Sequence, residues 1–156
     1  MQATSKWILA GALALQALAA QAAGTVELKW VEPENFADAG HTIADREATL
    51  QVLGEHIRRL GAALPDGQTL KIEVTDLNLA GEVRFTPSRD LRVLRNRADW
   101  PTMNIRYTLV AEGRVLKSGE TRLSDMNYGF TLRRDAYGYE KRMIDTWFRA
   151  EFGDGH

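Results

Sequence analysis

The sequence predicts an α+β protein, a two-layer sandwich in which two helices cover one face of a mostly antiparallel sheet of four to five strands. Two segments have the apolar spacing of amphipathic helices, and several others alternate apolar and polar residues as strands do. The predicted order is strand, helix, several strands, helix. Because each amphipathic helix must bury its apolar stripe, one sheet face is the surface that both helices can cover.

The first 22 residues have the composition of a secretory signal peptide. They contain one cation, no acid, an apolar run from Trp7 to Leu18, and the small-residue pattern Ala20-Gln21-Ala22, which predicts cleavage after Ala22. The apolar run is too short to span a bilayer core of about 30 Å comfortably. A buried N-terminal helix is the alternative, although such a helix normally has a polar face. The predicted division is a signal peptide, residues 1–22, and a single α+β domain, residues 23–156.

Composition narrows the classes of function. The chain has 156 residues, a formal net charge of −1 and no cysteine. The lack of cysteine excludes disulfides, thiolate metal sites, cysteine nucleophiles and a lipid anchor on an N-terminal cysteine. Export and a slightly acidic balance argue against a nucleic-acid partner. We therefore expect a protein of the bacterial periplasm, with secretion from the cell as the alternative.

The first strand and the first helix follow the signal-like segment. The stretch "TVELKWV", residues 25–31, alternates apolar and charged side chains as a half-buried strand does. Asp45 is the expected N-cap of the helix, and Pro65 is expected to end it. The apolar stripe of this helix consists of Leu50, Leu53, Ile57, Leu60 and Leu64.

The second half of the chain predicts a bulged strand, a hairpin and a final helix. In "TLKIEVTDLNLAGEVRF" the apolar residues change parity, so we expect a bulge near Thr75 and Asp76. The stretch "MNIRYTLVAEGRVLKSGETRL" predicts a hairpin that turns at Glu112-Gly113. The closing "YEKRMIDTWFRAEF" predicts an amphipathic helix that buries Trp147 and Phe148.

Recognisable catalytic and metal motifs do not occur in the sequence. The three histidines, His41, His56 and His156, are far apart and form no metal-ligand spacing. No Gly-x-Ser-x-Gly turn or Gly-rich phosphate loop occurs either. The sequence therefore predicts no cofactor. Convergent carboxylates stay open as an alternative, in which a small hydrolase would use Asp99 and Asp125 together with Tyr128.

The arginines are the most unusual feature of the sequence. The stretch "VRFTPSRDLRVLRNR" contains five arginines and one acid, and planar guanidinium groups recognise anions well. An edge strand protected from aggregation by its charges is the alternative reading. The predicted contact surface joins part of this stretch to the loops "RADWP" and "SDMNYG", and its residues are Arg92, Arg95, Arg97, Asp99, Trp100, Asp125, Asn127 and Tyr128.

Within "SDMNYG", Asp125 and Asn127 are also residue types that end strands by bonding to nearby backbone N–H groups. We therefore expect these side chains to bond mainly to their own backbone. Whether Asp125 and Tyr128 face the loop "RADWP" and the arginine-rich stretch, or only their own backbone, is a question of distance, and we expect mostly their own backbone.

Several motifs together resemble one bacterial family. They are "VELKWVEPENFAD", "LPDGQTLKIEVTDLNLAGEV", "LRVLRNRADWPTMNIRYTL", "SGETRLSDMNYG" and "YEKRMIDTWF". Their order is similar to that of the family called domain of unknown function 3016, and the resemblance runs from about Val26 to Phe152. It implies a small exported protein, and it supplies no activity, cofactor or catalytic residue.

The sequence thus favours a non-catalytic binding or accessory module of the periplasm. Its partner would be an unknown component of the envelope, either a protein or an anionic lipid or glycan. The small hydrolase with an Asp pair is one alternative. A structural envelope protein that acts by self-association is the other.

Overall fold

A computed structural model describes residues 23–87, 90–95, 98–128 and 135–153. The predicted signal peptide lies outside these residues and stays a prediction. The described elements are the strands and helices β1 (Thr25–Trp30), α1 (Ile43–Arg59), β2 (Gln68–Asn78), β3 (Glu82–Phe85), β4 (Asp90–Val93), β5 (Thr102–Ala111), β6 (Arg114–Ser124) and α2 (Gly138–Phe152).

The main sheet has four strands in the order β1-β2-β5-β6. Strand β1 runs parallel to β2, whereas β2, β5 and β6 are antiparallel neighbours. The predicted α+β sandwich is confirmed, with four strands in its sheet. Among the described strands, β3 and β4 pair only with each other. The described part of the arginine-rich stretch therefore belongs to a separate two-stranded ribbon rather than to an edge of the main sheet.

Helix α1 provides the crossover that a parallel pair of strands requires. The structure corrects its N-cap. Thr42 is the cap, and Asp45 is the third helical residue, whose carboxylate accepts a hydrogen bond from the Thr42 backbone N–H at 3.1 Å. The Asp45 N–H donates in return to the Thr42 hydroxyl at 3.0 Å. This reciprocal capping box satisfies two backbone donors.

The predicted bulge and hairpin are both confirmed. The β2–β5 register shifts between Val74 and Asp76, so that Leu77 faces the core again, opposite Met103. The hairpin turns at Glu112 and Gly113, which have φ angles of 50° and 73°. Positive φ at both central residues matches the right-handed twist of the flanking strands.

The core lies between the sheet and the two helices. In α2, the side chains of Met143, Ile144, Trp147 and Phe148 are buried against the sheet. The rings of Trp147 and Tyr107 meet edge to face with their centroids 5.4 Å apart, a favourable arrangement for aromatic pairs. Beside them, the Tyr107 hydroxyl donates to the Glu151 carboxylate at 2.9 Å, which ties the last turn of α2 to β5.

The two ends of the sheet differ. At one end the connections are short, and they include the turn at Glu112-Gly113. At the other end, where β1, β2 and β6 finish and β5 begins, lie the three long connections, residues 31–42, 79–101 and 125–137. Both helices also begin there. We call this end of the domain the loop end.

The packing of α2 generates a first prediction. Trp147 is 8% exposed, so Trp147→Ala would leave a large cavity between helix and sheet. Large-to-small changes of this kind cost about 3–5 kcal/mol, and we expect a clearly lower midpoint in thermal or urea unfolding. Arg149→Ala, at an exposed position of the same helix, is the matched control. An unchanged melting curve for Trp147→Ala would contradict the docked helix.

Candidate functional site

The loop end brings together most of the predicted contact residues. The loop that precedes β5 carries Asp99 and Trp100, and the turn that follows β6 carries Asp125, Asn127 and Tyr128. These segments are neighbours because the start of β5 pairs with the end of β6, Thr102 opposite Ser124. Sheet pairing therefore creates this cluster from residues far apart in sequence.

Tyr128 is the anchor of the cluster. Its side chain is fully buried, although the sequence placed it in a loop. Its hydroxyl donates a hydrogen bond to one carboxylate oxygen of Asp99, and its ring meets the Tyr139 ring of α2 edge to face, with centroids 5.1 Å apart. A buried phenol with a partner for its hydroxyl contributes apolar burial without an unsatisfied donor.

Asp99 joins Tyr128 to the β3–β4 ribbon. Its second carboxylate oxygen accepts from the Arg95 N–H at 2.8 Å, and its backbone carbonyl accepts from the Gly81 N–H at 2.9 Å. Burial pushes the pKa of the Asp99 carboxyl upward, but the hydrogen bonds from Tyr128 and Arg95 outweigh it and hold the pKa below its ordinary value of 3.8. The carboxylate is therefore ionised at neutral pH, and it fixes both ends of the ribbon.

Asp125 has partners both in its own turn and on α2. One carboxylate oxygen accepts from the Asn127 N–H at 3.2 Å, which is the local backbone bond that the sequence predicted. The other accepts from the Arg142 guanidinium, including a bond from Nε at 2.8 Å. The backbone N–H of Asp125 donates to the Pro101 carbonyl at 3.3 Å. The expectation of mainly local bonding is therefore wrong for Asp125, and it is also wrong for Tyr128, whose hydroxyl donates to Asp99 of the loop "RADWP".

The predicted arginines are largely paired. The Arg92 guanidinium donates to both oxygens of the Asp38 carboxylate, at 2.8 and 3.1 Å, and to the Gly81 carbonyl at 3.2 Å. Arg95 forms an ion pair with Glu82 across the base of the ribbon. Arg97 lies outside the described residues. Arg92 thus fixes the ribbon to the domain, whereas the Arg95 side chain joins the two sides of the ribbon to each other. Both charges are already matched by carboxylates.

A cleft separates the ribbon from the first turn of α1. We call it the ribbon cleft, and its volume is about 220 Å³. Its lining includes His41, Asp45, Thr49, Val83, Arg92 and Tyr137. A neighbouring cavity of about 390 Å³ shares His41 and Val83 and extends towards Arg46. The His41 ring meets the Phe85 ring at 4.6 Å between centroids, so one ribbon strand packs against the entry to α1.

Glu140 is a buried residue that the sequence analysis missed. It is 3% exposed, and its carboxylate accepts from the Ala80 N–H at 2.7 Å, between β2 and the ribbon. Burial is the largest influence and raises the pKa of this carboxyl, while the hydrogen bond from Ala80 and the charge of Arg92 act in the opposite direction. A sequence signal existed, since Glu140 lies three and seven residues before Met143 and Trp147 and so shares their buried stripe.

The arrangement of these side chains suits positioning better than acid–base chemistry. Both oxygens of Asp99 and both oxygens of Asp125 accept hydrogen bonds within the domain. Asp45 is held by Thr42 in the capping box, and hydrogen bonds from the Thr42 side chain and backbone lower its pKa. Within the described parts of the chain, no three His, Asp or Glu side chains gather as metal ligands do.

Glu140 generates a prediction about pH. Because burial raises its pKa, its contribution to stability is fully present below its ordinary value of 4.5 and is lost as pH rises through the raised pKa. Glu140→Gln keeps an oxygen acceptor for the Ala80 N–H and cannot ionise. We therefore expect the free energy of unfolding of Glu140→Gln, minus that of the wild type, to increase between about pH 4 and about pH 8.

Urea unfolding at a series of pH values measures this difference. The exposed Glu47→Gln in α1 is the control, and its difference from the wild type should change much less with pH. A difference for Glu140→Gln that is flat across the range would show that this carboxyl is not desolvated in the folded protein.

Neither described helix has the length and apolar character needed to cross a lipid bilayer.

Comparisons with known proteins place the chain in a family. The search of curated proteins and the search of solved structures gave no match. A family model described as "Protein of unknown function (DUF3016)" matches residues 24–150, which include every strand and nearly all of both helices. The chain therefore belongs to the DUF3016 family.

Proposed function

We propose that this protein is an exported, non-catalytic binding module of the bacterial periplasm, and that its loop end binds an anionic lipid surface of the envelope. The observation that carries the proposal is the β3–β4 ribbon at the loop end, which has exposed apolar side chains. Near them are Arg84 of β3 and Arg46 of α1, two cations without an ion-pair partner among the described residues. Binding residues commonly lie on connections that a rigid scaffold positions.

The apolar part of this surface is unusually exposed. Phe85 on β3 is 65% exposed, Leu91 on β4 is 37% exposed, and Leu94 just after β4 is 41% exposed. Ile43, at the first position of α1, is 67% exposed. Exposed large apolar side chains that occur together mark contact surfaces for proteins or membranes. A ribbon attached at its base can place such side chains at a lipid headgroup boundary.

The cationic part consists of Arg46 and Arg84, which are not among the predicted contact residues. Arg84 on the ribbon is exposed, and Arg46 in the first turns of α1 is half-exposed. Neither has an ion-pair partner among the described residues. The N-terminal ends of both helices add partial positive charge at this end. The pairing of Arg92 and Arg95 with carboxylates supports Arg46 and Arg84 as the anion contact that we propose.

Export generates one prediction. The protein produced in a bacterium with its own N-terminus should be recovered from the periplasmic fraction and should begin at Ala23, as intact-mass measurement would show. Replacing Ala20 and Ala22 with bulky residues removes the small-residue pattern and should leave the uncleaved form. Recovery of the full-length chain from the cytoplasm would contradict export.

The proposed lipid binding generates a further prediction. Each basic residue near an anionic surface contributes about 1 kcal/mol, so Arg46→Ser with Arg84→Ser should weaken binding to phosphatidylglycerol vesicles roughly 30-fold in co-sedimentation. The matched control is Arg58→Ser with Arg59→Ser, which removes two exposed arginines at the other end of the same helix. We also expect binding to weaken as salt concentration rises.

Two outcomes of this experiment would overturn the proposed lipid contact. One is equal binding to phosphatidylglycerol and phosphatidylcholine vesicles. The other is an equal loss of binding in the α1 control. If no vesicles are bound but an acidic protein is retained through Arg46 and Arg84, the loop end is a protein-binding surface instead.

A further inference from the structure

We propose that the free edge of β6 is a docking strand for an acidic, extended segment of a partner protein, which would add to the sheet as a fifth strand. This surface is separate from the β3–β4 ribbon, so the inference goes beyond the proposed lipid contact. It depends on three features of the described chain: an open strand edge, a groove beside that edge, and an excess of positive charge along it.

The edge is long and open. Strand β6, Arg114–Ser124, is the last strand of the sheet, and within the described residues no strand pairs with its outer side. Most of its residues are exposed. An edge strand of this length presents a row of backbone donors and acceptors that another extended chain can use.

The opposite edge of the sheet differs. Strand β1, Thr25–Trp30, is shorter, and the turn at Leu60–Ala63 approaches its beginning closely. A Cβ atom on Gly61 would lie only 2.9 Å from the Gly24 carbonyl oxygen. Of the two edges, β6 therefore offers the longer uncovered run.

A groove of about 300 Å³ runs between β6 and α2, where alternate side chains of an added strand would point. Leu123 of β6 and Met143, Trp147 and Ala150 of α2 form its apolar lining. Its polar rim includes Arg122, Asp125 and Arg142. A segment with apolar residues at alternate positions would fill this groove while its backbone paired with β6.

The side chain of Trp147 provides a local reporter for the groove. The residue is 8% exposed, and its indole N–H has no hydrogen-bond partner among the described residues. Because Trp147 lines the groove, its indole signal is a local reporter of anything that enters.

The charges along β6 select the partner. The strand carries three basic residues, Arg114, Lys117 and Arg122, and one acidic residue, Glu120, in a protein of net charge −1. Lys117 is matched by Glu151 at 2.6 Å. Within the described parts of the chain, Arg114 has no ion-pair partner, and Arg122 donates only to the Thr102 hydroxyl, at 3.5 Å. An acidic segment would pair with these two arginines, whereas a basic one would be repelled.

The test uses the purified, isotope-labelled protein and two short synthetic peptides, one alternating valine with glutamate and one alternating valine with lysine. In an amide-detected NMR titration, we expect the glutamate peptide to shift the β6 amides and the Trp147 indole N–H. We expect the lysine peptide to bind at least about tenfold more weakly. N-methylation of one alternate set of peptide amides should abolish binding, and N-methylation of the other set should not, because only one set faces β6.

Two protein variants test the location. Ala150→Arg places a long side chain in the groove and should weaken binding of the glutamate peptide at least about tenfold. The same change at Ala62, an exposed position outside the groove, is the control. The proposal is overturned if the two peptides bind equally, if both methylated sets behave alike, if the shifts lie away from β6, or if Ala150→Arg binds as the wild type does. Phosphatidylglycerol binding by Ala150→Arg should be unchanged, which separates this result from the ribbon experiment.

Discussion

The carboxylate of Asp99 is the contact on which the arrangement of the loop end depends. It accepts from the buried Tyr128 hydroxyl on one side and from the Arg95 N–H on the other, while its own carbonyl receives the Gly81 N–H. The turn after β6, the exit from β4 and the start of the ribbon are therefore joined through a single residue. The ion pair between Arg92 and Asp38 adds a second attachment at the base of the ribbon. A two-stranded ribbon is marginally stable alone, so these attachments hold it at one end of the domain.

The charged groups of the loop end have two different roles. Those that lie close to the sheet, such as Asp99, Glu140 and Arg92, accept or donate bonds that connect one chain segment to another. Those further out, Arg46 and Arg84, have no such partner among the described residues and stand beside exposed apolar side chains. Paired charges have little remaining capacity to attract a ligand, whereas unpaired ones keep it. This division explains why a cluster rich in arginine and aspartate is mainly structural, and why the binding surface that we propose lies next to it.

Much of the fold follows from local patterns in the sequence. The change of apolar parity at Thr75–Asp76 predicted the bulge, because a strand must restore its buried face to stay in the sheet. The Glu112-Gly113 pair predicted the hairpin, and the stripes around Leu53 and Trp147 predicted the two helices. The sequence could not show that "VRFTPSRDLRVLRNR" contributes to a ribbon instead of an edge strand, because both alternatives use the same extended pattern. Which strands pair depends on residues that are far apart in the sequence. The alternation of apolar and polar residues within one strand does not determine its partner.

For the candidate site too, the sequence determined one part and the tertiary structure the other. By itself, the sequence determined that an arginine-rich stretch, "RADWP" and "SDMNYG" carry the unusual polar residues, since that requires only composition and order. Only the tertiary structure decided that the buried Tyr128 donates a hydrogen bond to Asp99, that the Asp125 carboxylate accepts from Arg142, and that Glu140 is buried away from water. The physical reason is that a charged group is free or occupied according to its neighbours in space, and sheet pairing brings those neighbours from distant parts of the chain.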